Sequence, residues 1–322
     1  MNTNKKENSV PVCNICEASF DKTYSFTEKM FGFNDEFKYN ECASCGCLQI
    51  AEFPENIEKY YPPYYYSFTQ KIPRLKRLPL IKRIFGVQRL RKRYKRNLGV
   101  LKYLKEIDAK ITDCILDVGC GKGLLICELF NQGFEKVEGV DKFLPQAIDY
   151  RYGVKVQKKE LKELTPSHYN LIMMNHVLEH MAEQEKSLAD CHKLLKDDGC
   201  LMIRIPLLGE AWERYRGNWV QLDAPRHFFL HTLKSINILA QKTGFEIRKT
   251  MFDSTNFQFL GSELYERDIP LFSESDNYNL YPFDKIFSPE QIQEFDKMAE
   301  DLNREQRGDS GVFYLYKKKS NQ

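Results

Sequence analysis

Four cysteines near the start of the chain, Cys13-x-x-Cys16 and Cys42-x-x-Cys45, have the spacing of two thiolate hooks carried by separate turns. Two such hooks close a tetrahedral site around a zinc ion, and with sulfur in all four positions no place is left for water, so the metal would be structural. Gly46 suits the second turn, while Cys47 is a further thiol that could replace a lost ligand. The other chemistry-bearing stretch is ILDVGCGKG, from Ile115 to Gly123, which combines an apolar run, the carboxylate of Asp117 and three alternate glycines. Gly119, Gly121 and Gly123 let the backbone turn tightly under a ligand, with the small Cys120 between them, and this makes the floor of a nucleoside-binding site. A nicotinamide or flavin loop would carry glycine at the sixth position of G-x-G-x-x-G, but that place, counted from Gly119, holds Leu124.

These groups need strands and helices to hold them. Ile111, Ile115, Leu116 and Val118 predict a buried strand with Asp117 at its carboxyl end, followed by an apolar helix from Leu124 to Gln132 closed by Gly133. A second strand, Lys136 to Val140, ends in Asp141, about twenty residues past the glycines, where a ribose-binding acid belongs. A third strand is expected near Val154 to Gln157, and YNLIMMNHVLEH, from Tyr169 to His180, is a further apolar strand running into polar residues. Alternating strands and helices of this kind imply a mostly parallel sheet covered on both faces.

With an acid two residues before its first glycine, G-x-G-x-G resembles motif I of the class I S-adenosylmethionine-dependent methyltransferases, and Tyr169 to His180 resembles the fourth strand and following loop of that family. The pattern W-x-x-L-D-x-P-R-H-x-x-x-x-T, from Trp219 to Thr232, is similar to a segment of bacterial methyltransferases of the ubiquinone-biosynthesis-like group. Members often carry an amino-terminal four-cysteine module and lie among enzymes that build surface polysaccharides. The resemblance implies an α/β fold, a Rossmann-like seven-stranded methyltransferase sheet behind a small zinc-ribbon-like module. It divides the chain into that module over 1–70, basic connecting helices over 71–110 and a class I methyltransferase domain over 111–322. An insertion around 253–311 departs from the family's usual length, so a lid or extra helix is expected there. The resemblance also implies site roles. Asp117, Gly119, Cys120, Gly121 and Gly123 would hold the methionine part of S-adenosyl-L-methionine, Asp141 with Lys142 the ribose, and Asn175 with His176 the region beside the reactive methyl; Glu160 could face the adenine amino group, with Lys158, Lys159 and Glu163 equally exposed candidates.

Methyl transfer from a sulfonium mainly requires alignment of donor and acceptor, plus removal of a proton where the acceptor is a hydroxyl. A histidine can take that proton near neutrality, and His180 and His227 both lie in segments expected at strand ends. The resemblance points to an oxygen of a sugar or sugar-linked intermediate as acceptor. An RNA base is the alternative, with the zinc module and a basic stretch gripping phosphates; a non-catalytic cofactor-binding partner protein is a third reading.

That basic stretch, Lys71 to Lys105, has fourteen Lys or Arg and no acid, broken by Pro73, Pro79 and Gly86. It could meet an anionic membrane face, RNA or solvent. Over the whole chain of 322 residues the net charge is only +3, and no apolar run approaches the ~18 residues of a membrane span. The polar start MNTNKKENS lacks a signal peptide's apolar core, and residues 1–10 read as disordered. The expected location is the cytoplasm, with peripheral contact at the inner membrane face through 71–105. Five of the ten cysteines lie in the first 50 residues and the rest in the later domain, where Cys114, Cys127, Cys191 and Cys200 fall on apolar faces and read as reduced core thiols. Five tyrosines crowd Pro62 and Pro63; packing between module and core is their first reading, a platform for a ring-shaped acceptor the second. Further helices are expected at Gln146 to Tyr152, Glu183 to Lys196, Leu233 to Thr243 and Pro289 to Arg307. A strand is expected at Leu201 to Ile205 after a turn at Asp197-Asp198-Gly199, and others in FEIRKTMF and GVFYLYKKK.

Overall fold

A computed structural model describes residues 11–77 and 99–319. The expected disorder of residues 1–10 and most of the basic stretch lie outside them. The central element is β4 (Ile115–Val118), buried along its whole length between two parallel neighbours, β5 (Val137–Val140) and β8 (Tyr169–Asn175). Both faces of these strands are covered. Leu116, Val118, Ile172 and Met174 point to one side, where they meet Leu188 and Leu194 of α4 (Gln184–Leu194) and Ile236 and Leu239 of α6 (Leu233–Lys242). Ile115, Leu171 and Met173 point to the other, against α2 (Leu101–Lys105) and α3 (Leu124–Asn131). Burial on both faces is why these strands read as continuous apolar runs instead of alternating ones. Each large aliphatic side chain so buried contributes roughly 1.5–3 kcal/mol.

Eight strands make this sheet, in the order β11-β12-β9-β8-β4-β5-β7-β6. β9 (Leu195–Pro206) continues the parallel set, β12 (Ser310–Lys317) inserts antiparallel beside it, and β11 (Phe245–Phe252) pairs antiparallel with β12. Because β5 follows β4 on one side and β8 lies on the other, strand order reverses at β4, and a crevice opens at the carboxyl ends there.

Several local expectations change. The helix foreseen over 146–152 is instead the short edge strand β6 (Ile148–Asp149), returning antiparallel on β7 (Lys155–Gln157). Tyr152 and Gly153 both have positive φ, 65° and 82°, and reverse the chain there, which gives the eighth strand. Ile111 precedes the strand it was expected to join. The turn at Asp197-Asp198-Gly199 survives as a bulge inside β9, since Tyr169 and Leu171 pair with Leu195 and Cys200.

A second sheet has the order β1-β2-β3-β10. β1 (Phe20–Thr27), β2 (Glu36–Cys42) and β3 (Leu48–Ile50) come from the amino-terminal stretch, whereas β10 (Phe229–Leu230) comes from the segment after Trp219. Thus the cysteine-bearing stretch shares a sheet with residues more than 170 positions later (Phe229↔Gln49). The tyrosine run, including the single helical turn α1 (Tyr66–Thr69), packs with the region around 253–311. There α7 (Phe257–Tyr265) and α8 (Pro289–Arg304) join α5 (Glu210–Tyr215) against the second sheet. Tyr64 stacks on Tyr278 with centroids 3.6 Å apart, and Phe31 lies 5.6 Å from Phe272. Packing is therefore what most of these rings do. No helix among the described residues is long and apolar enough to cross a membrane.

Candidate active site

The loop after β4 has all three glycines in the left-handed region, with φ of 64° at Gly119, 51° at Gly121 and 82° at Gly123. A Cβ at Gly119 would strike Val177 at 2.7 Å and one at Gly123 would strike Val156 at 2.7 Å, but at Gly121 it would meet nothing within 4 Å. Two glycines thus permit close packing, and the middle one faces open space. Asp141, at the end of β5, accepts hydrogen bonds from Gly121 N (3.0 Å) and Phe143 N (2.9 Å). Each carboxylate oxygen keeps a second lone pair for a hydroxyl donor. Asp117 is buried, and burial, then the charge of Asp141, pushes its pKa up to about 8. Asn175 offsets this in part, yet its buried Nδ2 completes no hydrogen bond of its own.

Among the described residues, a buried acid without a cationic neighbour, an unpartnered amide N–H and an open glycine suit a ligand with an ammonium group and ribose hydroxyls. The residues expected to hold S-adenosyl-L-methionine fit it on these grounds. Lys142 and Phe143 are exposed at the rim, Phe143 by 83%. Cys120 is a spacer, its Sγ so close under Gly139 that a Cβ there would sit 2.3 Å away, and burial raises its pKa. Glu160 is exposed, pairs with Lys162 at 2.6 Å and caps the turn at Leu161–Glu163.

At the end of β8 the chain passes through His176 in a left-handed conformation (φ 52°) and brings three histidines toward one carboxylate. His176 Nδ1 lies 3.2 Å from Glu179 Oε1, and Arg204 donates to His176 Nε2. Arg204 is in turn fixed by Asp253 at 2.6 Å. Asp253 also accepts from Tyr103 and Ser310. His180 and His227 stand edge to face, centroids 4.7 Å apart. The Nδ1 of His180 faces the Arg226 carbonyl at 2.8 Å and that of His227 faces the Gln221 carbonyl at 2.7 Å. Carbonyls only accept, so both rings carry hydrogen on Nδ1. Tyr61 places its hydroxyl 3.2 Å from His180 Nδ1. Burial, then the neighbouring His227, lowers the His180 pKa.

The four cysteines of the two hooks also converge. Their sulfurs lie within 4.8 Å of one another, with Cys13 to Cys45 at 3.6 Å and Cys16 to Cys42 at 3.3 Å. Zinc–sulfur bonds of about 2.3 Å set tetrahedral edges of roughly 3.8 Å, so the set fits a zinc ion. Cys42 Sγ accepts from the backbone N–H of Ser44 and of Cys45, each at 3.4 Å, and Cys13 Sγ accepts from Ile15 at 3.4 Å. Glu17 and Gly46 occupy matching places after the two pairs, with φ of 63° and 69°. Cys47 is outside the set, its thiol directed to the Leu48 carbonyl.

A family model described as a methyltransferase domain matches residues 79–250, more than half of the chain. The chain belongs to the methyltransferase domain family. Among relatives, a ubiquinone biosynthesis O-methyltransferase of Maricaulis maris is 33% identical over 101 residues, 27% of this chain and 38% of that protein. The protein of the same name from Rickettsia bellii is 27% identical over 151 residues, 42% of this chain and 62% of that one. The chain thus spans less than two thirds of either relative. Among solved structures, a SAM-dependent methyltransferase from Archaeoglobus fulgidus aligns with a TM-score of 0.41 at 19% identity, covering 74% of this chain and 98% of that one.

Within the methyltransferase domain, Asp117, the glycine loop, Asp141 and Asn175 come together at the carboxyl edge, as do His176, His180 and His227. Glu160 lies on the surface after β7, paired with Lys162. Sequence reasoning passed over Glu179, Tyr61 and Arg226. Glu179 stands inside the quoted motif beside His180, which was its one available signal. Tyr61 and Arg226 depend on contacts across the fold, and no local spacing announces them.

Proposed function

We propose that the chain transfers the methyl group of S-adenosyl-L-methionine to a hydroxyl oxygen of a small, ring-bearing acceptor. The carrying observation is that the nucleoside floor around Asp117 and Gly121 and the His180/His227 pair lie at the same carboxyl edge of one sheet. S-adenosyl-L-methionine supplies an electrophilic methyl on a sulfonium, so the chain's task is to hold it, orient the acceptor and accommodate a proton. Asp117 would meet the ammonium of the methionine part, and Asp141 the ribose hydroxyls. Asn175 and His176 would line the wall beside the methyl, with Lys142 and Phe143 at the rim.

The acceptor's hydroxyl would approach His180 and His227, with the Tyr61 ring as part of the wall. An oxygen acceptor agrees with the names of the curated relatives. The sugar-linked class remains the finer part of the proposal, because flat tyrosine faces suit sugar rings as well as phenols. The cysteine stretch over 1–70 would hold a structural zinc, and the catalytic domain would run over 111–322.

Purified protein incubated with methyl-labelled S-adenosyl-L-methionine and separate panels of nucleotide sugars, glycolipid precursors and catechol-type phenols tests the reading. Label appearing as a methyl ether in one panel is expected. Cofactor binding without label in any oxygen acceptor, but with label in an amine or RNA base, would overturn it.

A further inference from the structure

The mechanism leaves one group unexplained. Glu179 is 1% exposed, its Oε1 is held by His176, and its Oε2 is buried with no hydrogen-bond partner among the described residues. A buried carboxylate oxygen left bare costs on the order of 1–3 kcal/mol or more, so something of opposite charge or a donor belongs there. One ligand atom from each of Glu179, His180 and His227 lies within 4.8 Å of the others. Both rings are committed at Nδ1 to backbone carbonyls at 2.8 and 2.7 Å, the outer contact that typically fixes a histidine as a metal ligand through Nε2.

Charge points the same way. The neighbourhood holds the carboxylates of Glu179, Asp223 and Glu28, and Arg226 pairs with Glu28 at 2.7 Å and with Asp223 at 2.6 Å. Asp223 Oδ2 lies 3.8 Å from His227 Nε2.

We infer that Glu179, His180 and His227 form a second metal site, which takes a divalent first-row transition ion. Two imidazoles and one carboxylate select Zn2+, Co2+, Mn2+ or Fe2+ over the hard Mg2+ and Ca2+. Bonds of about 2.1 Å to a common ion put adjacent ligand atoms roughly 3 Å apart, which small side-chain rotations supply. The ion's role, unlike its binding, rests on the proposed O-methylation. A hydroxyl bound to it becomes acidic near neutrality, as metal-bound water does. The O–H proton passes to solvent, the oxygen forms its bond to the methyl carbon, and the C–S electron pair stays on sulfur as the thioether leaves. No electron enters or departs.

The experiment uses full-length protein carrying one zinc in the cysteine site. Calorimetric titration with Co2+, read in parallel by absorbance, should show one further equivalent bound without the intense thiolate-to-cobalt band of the cysteine set. His227→Ala and Glu179→Gln should each weaken that binding at least tenfold while remaining folded by circular dichroism. Absence of a second equivalent in wild type, or unchanged affinity in folded Glu179→Gln, overturns the inference. S-adenosyl-L-methionine affinity, measured separately on the same samples, shows whether the methyltransferase reading stands or falls independently.

Discussion

The guanidinium of Arg226 and the carboxylate of Glu28 meet 2.7 Å apart, both fully buried, although 198 positions separate them. Arg226 also reaches Asp223 at 2.6 Å and the Tyr60 carbonyl at 3.1 Å. One side chain therefore ties the amino-terminal stretch, the tyrosine run and the His227 loop together. Removing one partner of a buried pair typically costs about 3–5 kcal/mol, because the other is left charged in a dry place. Glu28→Ala should lower unfolding free energy by about that amount in urea titrations; a loss below about 1 kcal/mol would show that Asp223 alone satisfies the arginine.

Asp117 predicts a proton signature for cofactor binding. Its folded pKa, about 8, lies above the ordinary 3.8. The folded state therefore holds the extra proton between those values, and stability declines as pH rises from 3.8 toward 8. The cost above pH 8 is of order 5 kcal/mol. An arriving ammonium would return Asp117 to its carboxylate form, so binding at pH 7 should release close to one proton. Calorimetry in two buffers of different ionisation enthalpy reads this directly. Asp117→Asn should bind more weakly, release no proton and be more stable than wild type at pH 8 without ligand; proton release undiminished in that variant would remove Asp117 from the role.

Asp141 should govern affinity without governing fold. Asp141→Ala loses hydrogen bonds from a charged acceptor, worth about 1.5–3 kcal/mol each, and S-adenosyl-L-methionine affinity should drop at least tenfold. Equal affinities in a folded variant would show that the ribose sits elsewhere.

The cysteine set should control the histidine loop. Cys45 and Thr232 are joined by a hydrogen bond of 2.7 Å, and Tyr39 donates to the His227 carbonyl at 2.8 Å. Because metal binding and folding are coupled in such clusters, Cys42→Ser should remove the metal and disorder β1 to β3. It should also loosen residues 226–232, seen as faster hydrogen exchange there and lower turnover, with cofactor affinity within about threefold of wild type since β4 and β5 lie in the other sheet. Unchanged exchange over 226–232 would mean the loop is set by the core alone.

His231 gives a pH test of packing. Burial lowers its pKa from 6.5 to about 4, and it sits between Ser235 and Gln184, each at 2.9 Å. The depressed value means the unfolded chain takes up the proton first as pH falls. The stability contribution is complete above pH 6.5 and is lost progressively down to pH 4, by about 3 kcal/mol. His231→Gln should flatten that part of the stability profile relative to wild type; parallel profiles would show that the ring is not the titrating group.

Sequence alone determined what local chemistry dictates. Glycine spacing specified a left-handed loop after β4, because three alternating residues without Cβ have little other use between an apolar strand and a helix. Cysteine pairs specified two hooks, and apolar runs specified strands buried on both faces; β11 falls on the residues read for it, Phe245–Phe252. Where local pattern was ambiguous the reading failed, as at 146–152, which packs as an edge strand because a turn at Tyr152 and Gly153 returns it to β7. Tertiary structure alone decided that β10 completes the cysteine sheet and that Arg226 finds Glu28. It also decided that His180 and His227 share a neighbourhood with the bare oxygen of Glu179. Those contacts join segments far apart in the chain, and their energy comes from burial and charge pairing that exist only after the chain has folded.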